Sequence, residues 1–329
     1  MVGATGAVGG TLLQVLAERD FPLAELRLLA TERSAGRRVR WRGSDLEVRA
    51  VEPAAFSGLD LCFLAVPGAK VSRTLAPLAL EGGARVIDKG SAFRMDPDVP
   101  LLVPEVNPEA ADGGHGLFAS PNCTTIPLVL CLAPLARAGG GLRRVLVSTY
   151  QAASGAGQGG LAELREGATA ALDGRRPTPA VFPRQLAFNV MPQCDAFGDD
   201  GYTQEEWKLA RESRKILGTP QLPISATAVR VPVAVGHAES VYIETERPLT
   251  PETARAALAA APGVVLRDDP ARGEYPTPLD VAGTDQAHVG RIRRDLDFPN
   301  GLHLWIVGDN LRKGAATNAV QIAELLMRR

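Results

Sequence analysis

The chain has 329 residues, of which 45% are hydrophobic, and its 36 basic residues are nearly balanced by 37 acidic ones. This length and composition fit a globular protein with two domains. The formal net charge of -1 provides no global attraction to nucleic acid or to an anionic membrane. The four cysteines lack the paired spacing of a metal site, and neither a secretory signal nor a long apolar span is seen, so we expect no bound metal, no disulfide and a cytoplasmic location.

The first motif in the chain is the glycine-rich stretch Gly3-Ala4-Thr5-Gly6-Ala7-Val8-Gly9, which precedes a predicted helix at residues 11–19. Glycines at this spacing let backbone N–H groups approach a pyrophosphate at the helix N-terminus, although small residues also form ordinary tight turns. After the predicted strand at residues 26–30, Arg33 and Ser34 suit the 2′-phosphate of NADP. Glu32 beside them would instead suit the ribose diol of NAD, so the sequence favours NADP without excluding NAD.

Two further runs, residues 59–66 and 84–88, have the apolar composition of buried strands, with a predicted helix at residues 71–80 between them. This alternation of strand and helix predicts a parallel sheet. Arg94 follows in a loop rich in small residues. It fits either a clamp for a phosphate or carboxylate, or an ordinary surface arginine.

Cys123 lies between a short apolar strand at residues 116–119 and a predicted helix at residues 126–137. The unpaired N–H groups and the positive end of a helix dipole favour thiolate over thiol, which lowers the pKa of a cysteine and makes its sulfur nucleophilic. The same N–H groups are suited to hold an oxyanion. A buried structural cysteine under a strand-to-helix turn is the alternative.

Gln151 follows a β-rich run at residues 142–150. It begins a Gly/Ser loop that precedes a predicted helix at residues 161–172. Another helix begins at Thr203. Its Glu205 and Lys208 lie three positions apart on one helix face, as in an ordinary surface ion pair.

Arg230 and His237 lie on the two sides of a turn that joins predicted strands at residues 225–233 and 237–246. A histidine in this position is either structural or the partner of a nucleophile elsewhere in the fold. Further strands are predicted at residues 288–294 and 302–307, and an amphipathic helix at residues 309–326.

Taken together, the motifs are similar along nearly the whole chain to those of the aspartate-semialdehyde dehydrogenase family. The matching stretches are GATGAVG, RSAG, SAFR, PNCTT, STYQAASGAG, FNVMPQ, YTQEEWK, ATAVRVPV followed by GHAE, GRIR, and GDNLRKGAATNAVQIAEL. The resemblance implies an α/β chain. Residues 1–122 plus 310–329 would form an NADP-binding, Rossmann-like, parallel-sheet domain, and residues 123–309 an α+β mixed-sheet domain for catalysis and dimerisation.

The resemblance also implies roles for individual residues. Cys123 corresponds to the thiol nucleophile, Gln151 to its substrate-orienting neighbour and His237 to the acid/base. The substrate-binding positions are Arg230 for the carboxylate, Glu205 for the amino group, and Lys208, Arg94 and Asn122 for the phosphate. The positions that touch NADP(H) are Gly3, Thr5, Gly6, Ala7, Val8, Arg33, Ser34, Ser154, Gly155 and Asn310.

The residue types fit the implied chemistry. Cys123 thiolate would attack the acyl phosphate of β-aspartyl phosphate, inorganic phosphate would leave, and reduction of the thioester by NADPH would give a thiohemiacetal that collapses to the aldehyde. In reverse, His237 would remove the hydroxyl proton as hydride departs. Such an enzyme serves the synthesis of lysine, threonine and methionine, and is expected to be a homodimer, with a tetramer as the alternative.

Three departures from the family pattern affect particular expectations. Lys89-Gly90 stand where the family usually has Asn-Ser, and Val66-Pro67-Gly68-Ala69 replace a glycine-rich turn. Only Met1 and Val2 precede the first glycine, where the family has a complete strand. We therefore expect either that residue 1 is not the natural start of the functional protein or that the chain is crippled by the loss of this strand.

Three alternative functions remain at the level of sequence. N-acetyl-glutamyl-phosphate reductase uses the same thiol chemistry on a longer acyl phosphate, although the Glu205/Lys208 helix and the PNCTT motif favour the aspartyl substrate. A reductase of coenzyme A thioesters would fit the same scaffold. A non-catalytic dimeric paralogue is the third alternative, and the joint retention of Cys123, Gln151, Arg230 and His237 favours an enzyme over it.

Overall fold

The computed structural model describes all 329 residues, which form two compact units. The first unit comprises Met1–Pro121 and Ala315–Arg329, and the second comprises Asn122–Gly314. None of the helices is long and apolar enough to cross a membrane.

The chain forms eight α-helices and twelve strands, joined by short 3₁₀ turns. In chain order they are α1 (Ala7–Glu18), β1 (Leu28–Ala30), β2 (Arg38–Trp41), β3 (Ser44–Ala50), β4 (Leu61–Leu64), α2 (Ala69–Glu81), β5 (Arg85–Asp88), β6 (Leu117–Ala119), α3 (Thr125–Gly139), β7 (Leu142–Gln151), α4 (Gly157–Leu172), α5 (Gln204–Leu217), β8 (Ile224–Arg230), β9 (His237–Thr245), α6 (Pro251–Ala259), β10 (Val264–Leu266), α7 (Pro278–Val281), β11 (Ala287–Arg294), β12 (Gly301–Gly308) and α8 (Thr317–Met327).

The first unit contains the predicted parallel strands. β4, β5 and β6 pair in parallel, and β1 pairs in parallel with β3. Val2 forms parallel bridges to both Leu29 and Leu64, so it lies between the two groups of strands. Met1 and Val2 are buried in this position.

The sequence analysis assigns no element to residues 38–50, where the structure has a hairpin formed by β2 and β3. The two strands pair antiparallel around Arg42 and Gly43, whose φ angles of 44° and 81° are the left-handed values that a two-residue hairpin turn requires. β2 is charged and half exposed, so its hydrophobic pattern is weak. Its period of two is consequently hard to detect in the sequence.

The core of the first unit packs two helices against the sheet. Leu12 and Leu16 of α1 and Val320 and Ala323 of α8 belong to the same buried cluster as Phe63 of β4. This cluster explains why the last segment of the chain belongs to the same compact unit as the first: the apolar stripe of α8 is buried there.

The second unit is built on a six-stranded mixed sheet with the order β10-β11-β12-β9-β7-β8. The β7–β8 and β10–β11 pairs are parallel and the others antiparallel. α3, α5 and α6 cover one face, where Leu128, Leu209 and Leu258 share a buried cluster with Val241 of β9. The predicted combination of a parallel-sheet unit and a mixed-sheet unit is thus confirmed.

The final helix differs from its prediction. We expected one continuous helix at residues 309–326, but a π-helical turn, Arg312–Ala316, precedes α8. Its geometry is shown by the Gly314 amide, which donates to the Asp309 carbonyl five residues earlier at 3.0 Å. Apolar periodicity does not separate such a turn from a regular helix.

Candidate active site

Three strand ends in the second unit bring together Gln151, Arg230 and His237. β7 and β8 run in parallel, and their register pairs Gln151 with Arg230 at the last position of both strands. β9 begins at His237 and runs antiparallel to β7, with Ala238 opposite Tyr150. The three side chains, far apart in sequence, therefore share one edge of the sheet.

Cys123 lies in the turn that leads into α3, two residues before that helix begins. The Asn122 carbonyl accepts from the Ile126 amide at 3.1 Å, so helical hydrogen bonding begins at the turn itself. The Cys123 thiol donates to Asn122 Oδ1 at a sulfur–oxygen distance of 3.8 Å.

Cys123 is the only one of the four free cysteines that is not buried. Burial raises the pKa of the Cys62 and Cys131 thiols, and it raises the pKa of Cys194 to about 12. The thiolate is the reactive form of a cysteine, so burial disfavours reaction at the other three, and Cys123 is the accessible one of the four.

Glu205 is the centre of a hydrogen-bond network that reaches the cysteine turn. Its Oε1 accepts from Asn122 Nδ2 at 2.7 Å and from Gln151 Nε2 at 2.9 Å, while its Oε2 lies 3.2 Å from Lys208 Nζ. Lys208 also pairs with Asp195 at 2.7 Å. The i,i+3 pair that the sequence left open is therefore part of a larger network.

The network keeps both ends of the Glu205–Lys208 pair charged. Burial opposes ionisation of Glu205, but the Lys208 charge and the hydrogen bonds from Asn122 and Gln151 outweigh it and lower the pKa of Glu205 to about 2. Burial likewise opposes the charge on Lys208, yet the two carboxylates raise its pKa.

α5 is fixed in place by the capping residues at its start. Thr203 Oγ1 accepts from the Glu206 amide and Glu206 Oε2 accepts from the Thr203 amide, which forms a capping box. Glu206 Oε1 also accepts from the Ala228 amide of β8 at 2.8 Å. The first turn of α5, which carries Glu205, is thereby attached to the strand that carries Arg230.

His237 and Arg230 both contact the backbone of Ala152, the residue after β7. The Ala152 amide donates to His237 Nδ1 at 3.0 Å, and Arg230 Nη1 donates to the Ala152 carbonyl at 2.8 Å. His237 is buried, and its Nε2 has no hydrogen-bond partner. Burial first, and the Arg230 charge second, lower the pKa of His237 to about 3, against smaller opposing effects of Glu205 and the Gly236 carbonyl.

A cavity of about 450 Å³ opens beside Arg230. Its lining includes Phe182, Cys194 and Asp195, and the Arg230 guanidinium lies 5.7 Å from the centre of the Phe182 ring. Sequence reasoning missed Ala152, Phe182 and Asp195. Ala152 acts through its backbone, which leaves no signal in a sequence, and the other two lie in irregular segments without a periodic pattern.

The second-unit residues predicted to touch the cofactor lie beside His237. Ser154 and Asn310 hydrogen-bond through their side chains at 2.9–3.0 Å, and Asn310 Oδ1 also accepts from the Gly236 amide at 3.0 Å. A Cβ on Gly155 would lie 3.4 Å from His237 Nε2 and 2.7 Å from Arg230 Nη1. The glycine therefore leaves open the space in front of these two side chains.

In the first unit, the glycine loop and the turn after β1 meet. Thr5 Oγ1 lies 3.5 Å from Ser34 Oγ, with Ser34 buried and Arg33 exposed in the same 3₁₀ turn. A Cβ on Gly9 would lie 2.1 Å from the Gly3 carbonyl oxygen, so the loop packs as closely against α1 as only glycine allows. Gly6, Ala7 and Val8 form the start of α1, which has no side-chain cap.

Arg94 lies in the loop after β5 and is buried. Its Nε donates to the Ser120 carbonyl at 3.0 Å and its Nη2 to the Lys89 carbonyl at 2.9 Å. Lys89 in turn donates to the Pro121 carbonyl at 3.2 Å. Lys89, which stands where the family usually has asparagine, thus places a cation beside the backbone that leads to Asn122 and Cys123.

Comparison with known proteins agrees with the fold. Residues 1–113 match the family model for the semialdehyde dehydrogenase NAD binding domain, and residues 132–313 match that for the semialdehyde dehydrogenase dimerisation domain. The aspartate-semialdehyde dehydrogenase of Aquifex aeolicus is 48% identical over 332 residues, which cover 100% of this chain and 97% of that protein.

Solved structures show the same similarity. The crystal structure of aspartate semialdehyde dehydrogenase II from Vibrio cholerae, complexed with ASA, is 45% identical with a TM-score of 0.96 and covers 99% of this chain and 97% of that one. A structure of the Candida albicans enzyme with NADP is 26% identical with a TM-score of 0.75 and covers 99% of this chain and 97% of that one. The resemblance seen in the motifs is confirmed, as is the binding domain for a nicotinamide cofactor. The chain therefore belongs to the aspartate-semialdehyde dehydrogenase family and is an oxidoreductase that reductively dephosphorylates aspartyl phosphate in amino-acid biosynthesis.

Proposed function

We propose that the chain uses NADPH to reduce β-aspartyl phosphate reversibly to aspartate semialdehyde, through a thioester on Cys123, in the pathway to lysine, threonine and methionine. The observation that carries this proposal is the position of Cys123. It is the only accessible cysteine and lies at the start of α3, in the unit where Gln151, Arg230 and His237 share a sheet edge.

In the proposed mechanism, Cys123 thiolate attacks the acyl carbon of the substrate, the carbon–oxygen bond to phosphate breaks, and inorganic phosphate leaves with one proton taken up from solvent. The N-terminus of α3 stabilises the thiolate and the tetrahedral oxyanion. Bound NADPH would supply the hydride for reduction of the thioester. The thiohemiacetal on Cys123, in its alkoxide form, would then collapse, which breaks the carbon–sulfur bond, releases the aldehyde and restores the thiolate.

The substrate is proposed to be held by charges that the structure keeps ionised. Arg230 would bind the substrate carboxylate with its planar guanidinium, and Glu205 the amino group. Lys208, Arg94 and Asn122 would bind the phosphate. The raised pKa of Lys208 and the low pKa of Glu205 support these assignments, because both side chains are charged at neutral pH.

NADP(H) is the proposed form of the cofactor. The residues fit a dinucleotide, because Gly3, Thr5, Gly6, Ala7 and Val8 form a close-packed loop at the uncapped start of α1, where a pyrophosphate would lie. Ser154, Gly155 and Asn310 would contact the nicotinamide half. Arg33 and Ser34 would contact the 2′-phosphate, and the meeting of Thr5 with Ser34 supports this placement.

The cofactor preference predicts the effect of an arginine substitution. Arg33→Ala should weaken NADP binding by about 1–3 kcal/mol, the scale of a charge-assisted hydrogen bond, and should leave NAD binding unchanged. Fluorescence titration with both cofactors measures the difference. Arg40→Ala, which removes an exposed arginine from β2, is the matched control. Equal affinities of the wild type for NADP and NAD would contradict the assignment.

We further propose that residues 1–122 with 310–329 act as the nucleotide-binding domain and that residues 123–309 carry catalysis and dimerisation, in a cytoplasmic homodimer. The match of residues 132–313 to a dimerisation domain supports the homodimer. The absence of disulfides among the four cysteines supports a reducing compartment.

A coupled assay tests the proposed function. NADP reduction by the purified protein should require both aspartate semialdehyde and inorganic phosphate, and Cys123→Ser should abolish it while NADP still binds. N-acetylglutamate semialdehyde in place of the substrate, and coenzyme A in place of phosphate, test the two alternative acceptors. Reduction that proceeds with either replacement but not with the proposed pair would overturn the proposal.

A further inference from the structure

Three consecutive backbone amides donate to the side chain of Glu163, in the middle of α4. Its Oε2 accepts from the Ala180 amide at 2.8 Å and also from the Val181 amide, and its Oε1 accepts from the Phe182 amide at 3.3 Å. Successive main-chain N–H groups can form a concave binding site for an anion, and here a carboxylate of the same chain fills that site. Glu163 thereby attaches an irregular stretch of backbone to α4.

This attachment is the only hydrogen bonding that the attached backbone makes. We call residues 177–184 the proline-rich segment, since Pro177, Pro179 and Pro183 within it have no N–H to donate. Apart from the three bonds to Glu163, the main chain of the proline-rich segment makes no hydrogen bond. Loss of the Glu163 carboxylate would therefore release the backbone of the whole segment.

The proline-rich segment places the ring of Phe182 against both α4 and Arg230. Phe182 is buried in a small apolar cluster that includes Leu161 and Leu186. A Cβ on Gly160 of α4 would lie 3.0 Å from Phe182 Cζ, so the helix leaves room for the ring at that position. The Arg230 guanidinium lies 5.7 Å from the ring centre, within the range of a cation–π interaction.

Arg230 retains donors for a ligand. Its guanidinium makes one hydrogen bond within the chain, from Nη1 to the Ala152 carbonyl at 2.8 Å, and pairs with no carboxylate of the chain. A guanidinium has five N–H donors in one plane, so several remain available to an anion in the adjacent cavity. Val181, Phe182 and Pro183 line that cavity of about 450 Å³. The proline-rich segment thus forms part of the wall beside the free donors of Arg230.

We propose that Glu163 is a positioning residue for the substrate carboxylate. It fixes the proline-rich segment through three backbone amides, and Phe182 of that segment holds the Arg230 guanidinium in the orientation that binds the carboxylate. This inference rests on the proposed function, in which Arg230 binds that group. Because Glu163 acts through Phe182 and Arg230, its effect falls on substrate affinity and not on the chemical step.

Steady-state kinetics of NADP reduction test this role. Glu163→Ala should raise the KM for aspartate semialdehyde about tenfold and change kcat by less than about threefold, because it weakens binding without moving the reacting atoms. Glu163→Gln keeps one oxygen as an acceptor, so its KM should lie between those of wild type and Glu163→Ala. The exposed Glu166 on the same helix makes no hydrogen bond, and Glu166→Ala is the matched control that should keep the wild-type KM.

A substrate without a carboxylate separates positioning from a general structural effect. β-Aminopropionaldehyde is aspartate semialdehyde without its α-carboxylate, so Arg230 has no group to bind. The kcat/KM of Glu163→Ala for this aldehyde should equal that of the wild type within about twofold, since the interaction that the substitution weakens is already absent. An equal loss with both aldehydes would contradict the proposal, because Glu163 would then act on the cofactor, the nucleophile or the stability of the fold.

Limited proteolysis tests the attachment independently of activity. Arg184, at the end of the proline-rich segment, is exposed and is a site for trypsin. Cleavage after Arg184 should be about tenfold faster in Glu163→Ala than in the wild type or Glu166→Ala, because the released backbone opens locally more often. Mass spectrometry identifies the cleavage site. A wild-type cleavage rate in Glu163→Ala would mean that Glu163 does not hold the segment.

The two proposals fail in distinguishable ways. If the wild type does not reduce NADP with aspartate semialdehyde and phosphate, the proposed function fails whatever the cleavage rates. If the wild type is active and Glu163→Ala keeps the wild-type KM for aspartate semialdehyde, only the positioning role of Glu163 fails.

Discussion

At the residue scale, the site combines charges that are well paired with one carboxyl that is not. Glu205 and Lys208 lie 3.2 Å apart and stabilise each other's charged forms, with further contacts of 2.7–2.9 Å to Asn122, Gln151 and Asp195.

Glu239 lies two residues after His237 on the same face of β9 and is buried, and neither of its carboxyl oxygens has a hydrogen-bond partner. Thr149, which pairs with Glu239 on the neighbouring strand β7, has a buried hydroxyl that also lacks a partner. Such a carboxyl costs stability in its ionised form.

The Glu239 carboxyl predicts a pH-dependent stability difference. Its folded pKa lies above the unfolded value, so its contribution to stability is fully present below about pH 4.5 and is lost as pH rises toward the folded pKa. Glu239→Gln does not titrate. Its free energy of unfolding should therefore increase relative to wild type by up to about 1.4 kcal/mol per pH unit above the unfolded pKa.

Urea unfolding of both proteins at several pH values between 5 and 8 measures this difference, with the pH-dependent effects of all other groups cancelling. A stability difference that stays constant over the range would mean that Glu239 is not kept neutral by burial.

At the scale of elements, much of the fold could be predicted because its strands and helices follow strong patterns. α3, predicted at residues 126–137, is Thr125–Gly139 in the structure, and the strand ends at Gln151, Arg230 and His237 are within a few residues of prediction. The β2–β3 hairpin, α6 and the π-helical turn were missed. The residues of β2 are exposed, and α6 lacks a clear apolar periodicity. The π-helical turn differs from a regular helix only in the spacing of its hydrogen bonds.

The candidate site was less accessible to sequence reasoning than the fold. The start of a helix at Cys123 could be predicted, since it depends on local pattern. The hydrogen bond that His237 accepts could not, because its donor is the backbone amide of Ala152, 85 positions away in the chain, and any non-proline residue supplies such an amide.

Gly314, in the π-helical turn Arg312–Ala316, packs closely against Cys123. A Cβ on Gly314 would lie 3.1 Å from both the Cβ and the carbonyl oxygen of Cys123, so Gly314→Ala should displace the cysteine turn. We expect a loss of about tenfold or more in kcat, because small misplacements of a nucleophile are costly. The rate of thiol alkylation should fall with it.

Gly10→Ala is the matched control, since a Cβ there meets no atom within 4 Å and the position is helical. If Gly314→Ala retains wild-type kcat and thiol reactivity, the turn does not position Cys123.

At the scale of the whole molecule, one face of the mixed sheet carries half-exposed aromatic side chains. Tyr150 and Trp305 pack at 5.4 Å between ring centres, and Tyr242 and His303 at 5.0 Å. The opposite face is covered by α3, α5 and α6. Apolar aromatic area exposed on a sheet is typical of a subunit interface, and these residues lie within the segment that matches a dimerisation domain.

The proposed homodimer predicts that a charge on this face weakens association. Tyr242→Glu should shift the sedimentation equilibrium toward monomer, because burial of an unpaired carboxylate in an interface is costly. Phe188→Glu places the same charge on an exposed aromatic of an irregular segment and should leave the dimer intact. Dissociation by both variants, or by neither, would mean that the interface lies elsewhere.

The central claim is that the reaction passes through an acyl group on Cys123. Intact-protein and peptide mass spectrometry after rapid acid quench tests it most directly, with β-aspartyl phosphate added in the absence of NADPH. The wild type should gain the mass of an aspartyl group on the peptide that contains Cys123, and the adduct should disappear when NADPH is added. Cys123→Ser should gain no adduct. An active wild type that shows no adduct, or one whose adduct lies on Cys194, would contradict the account.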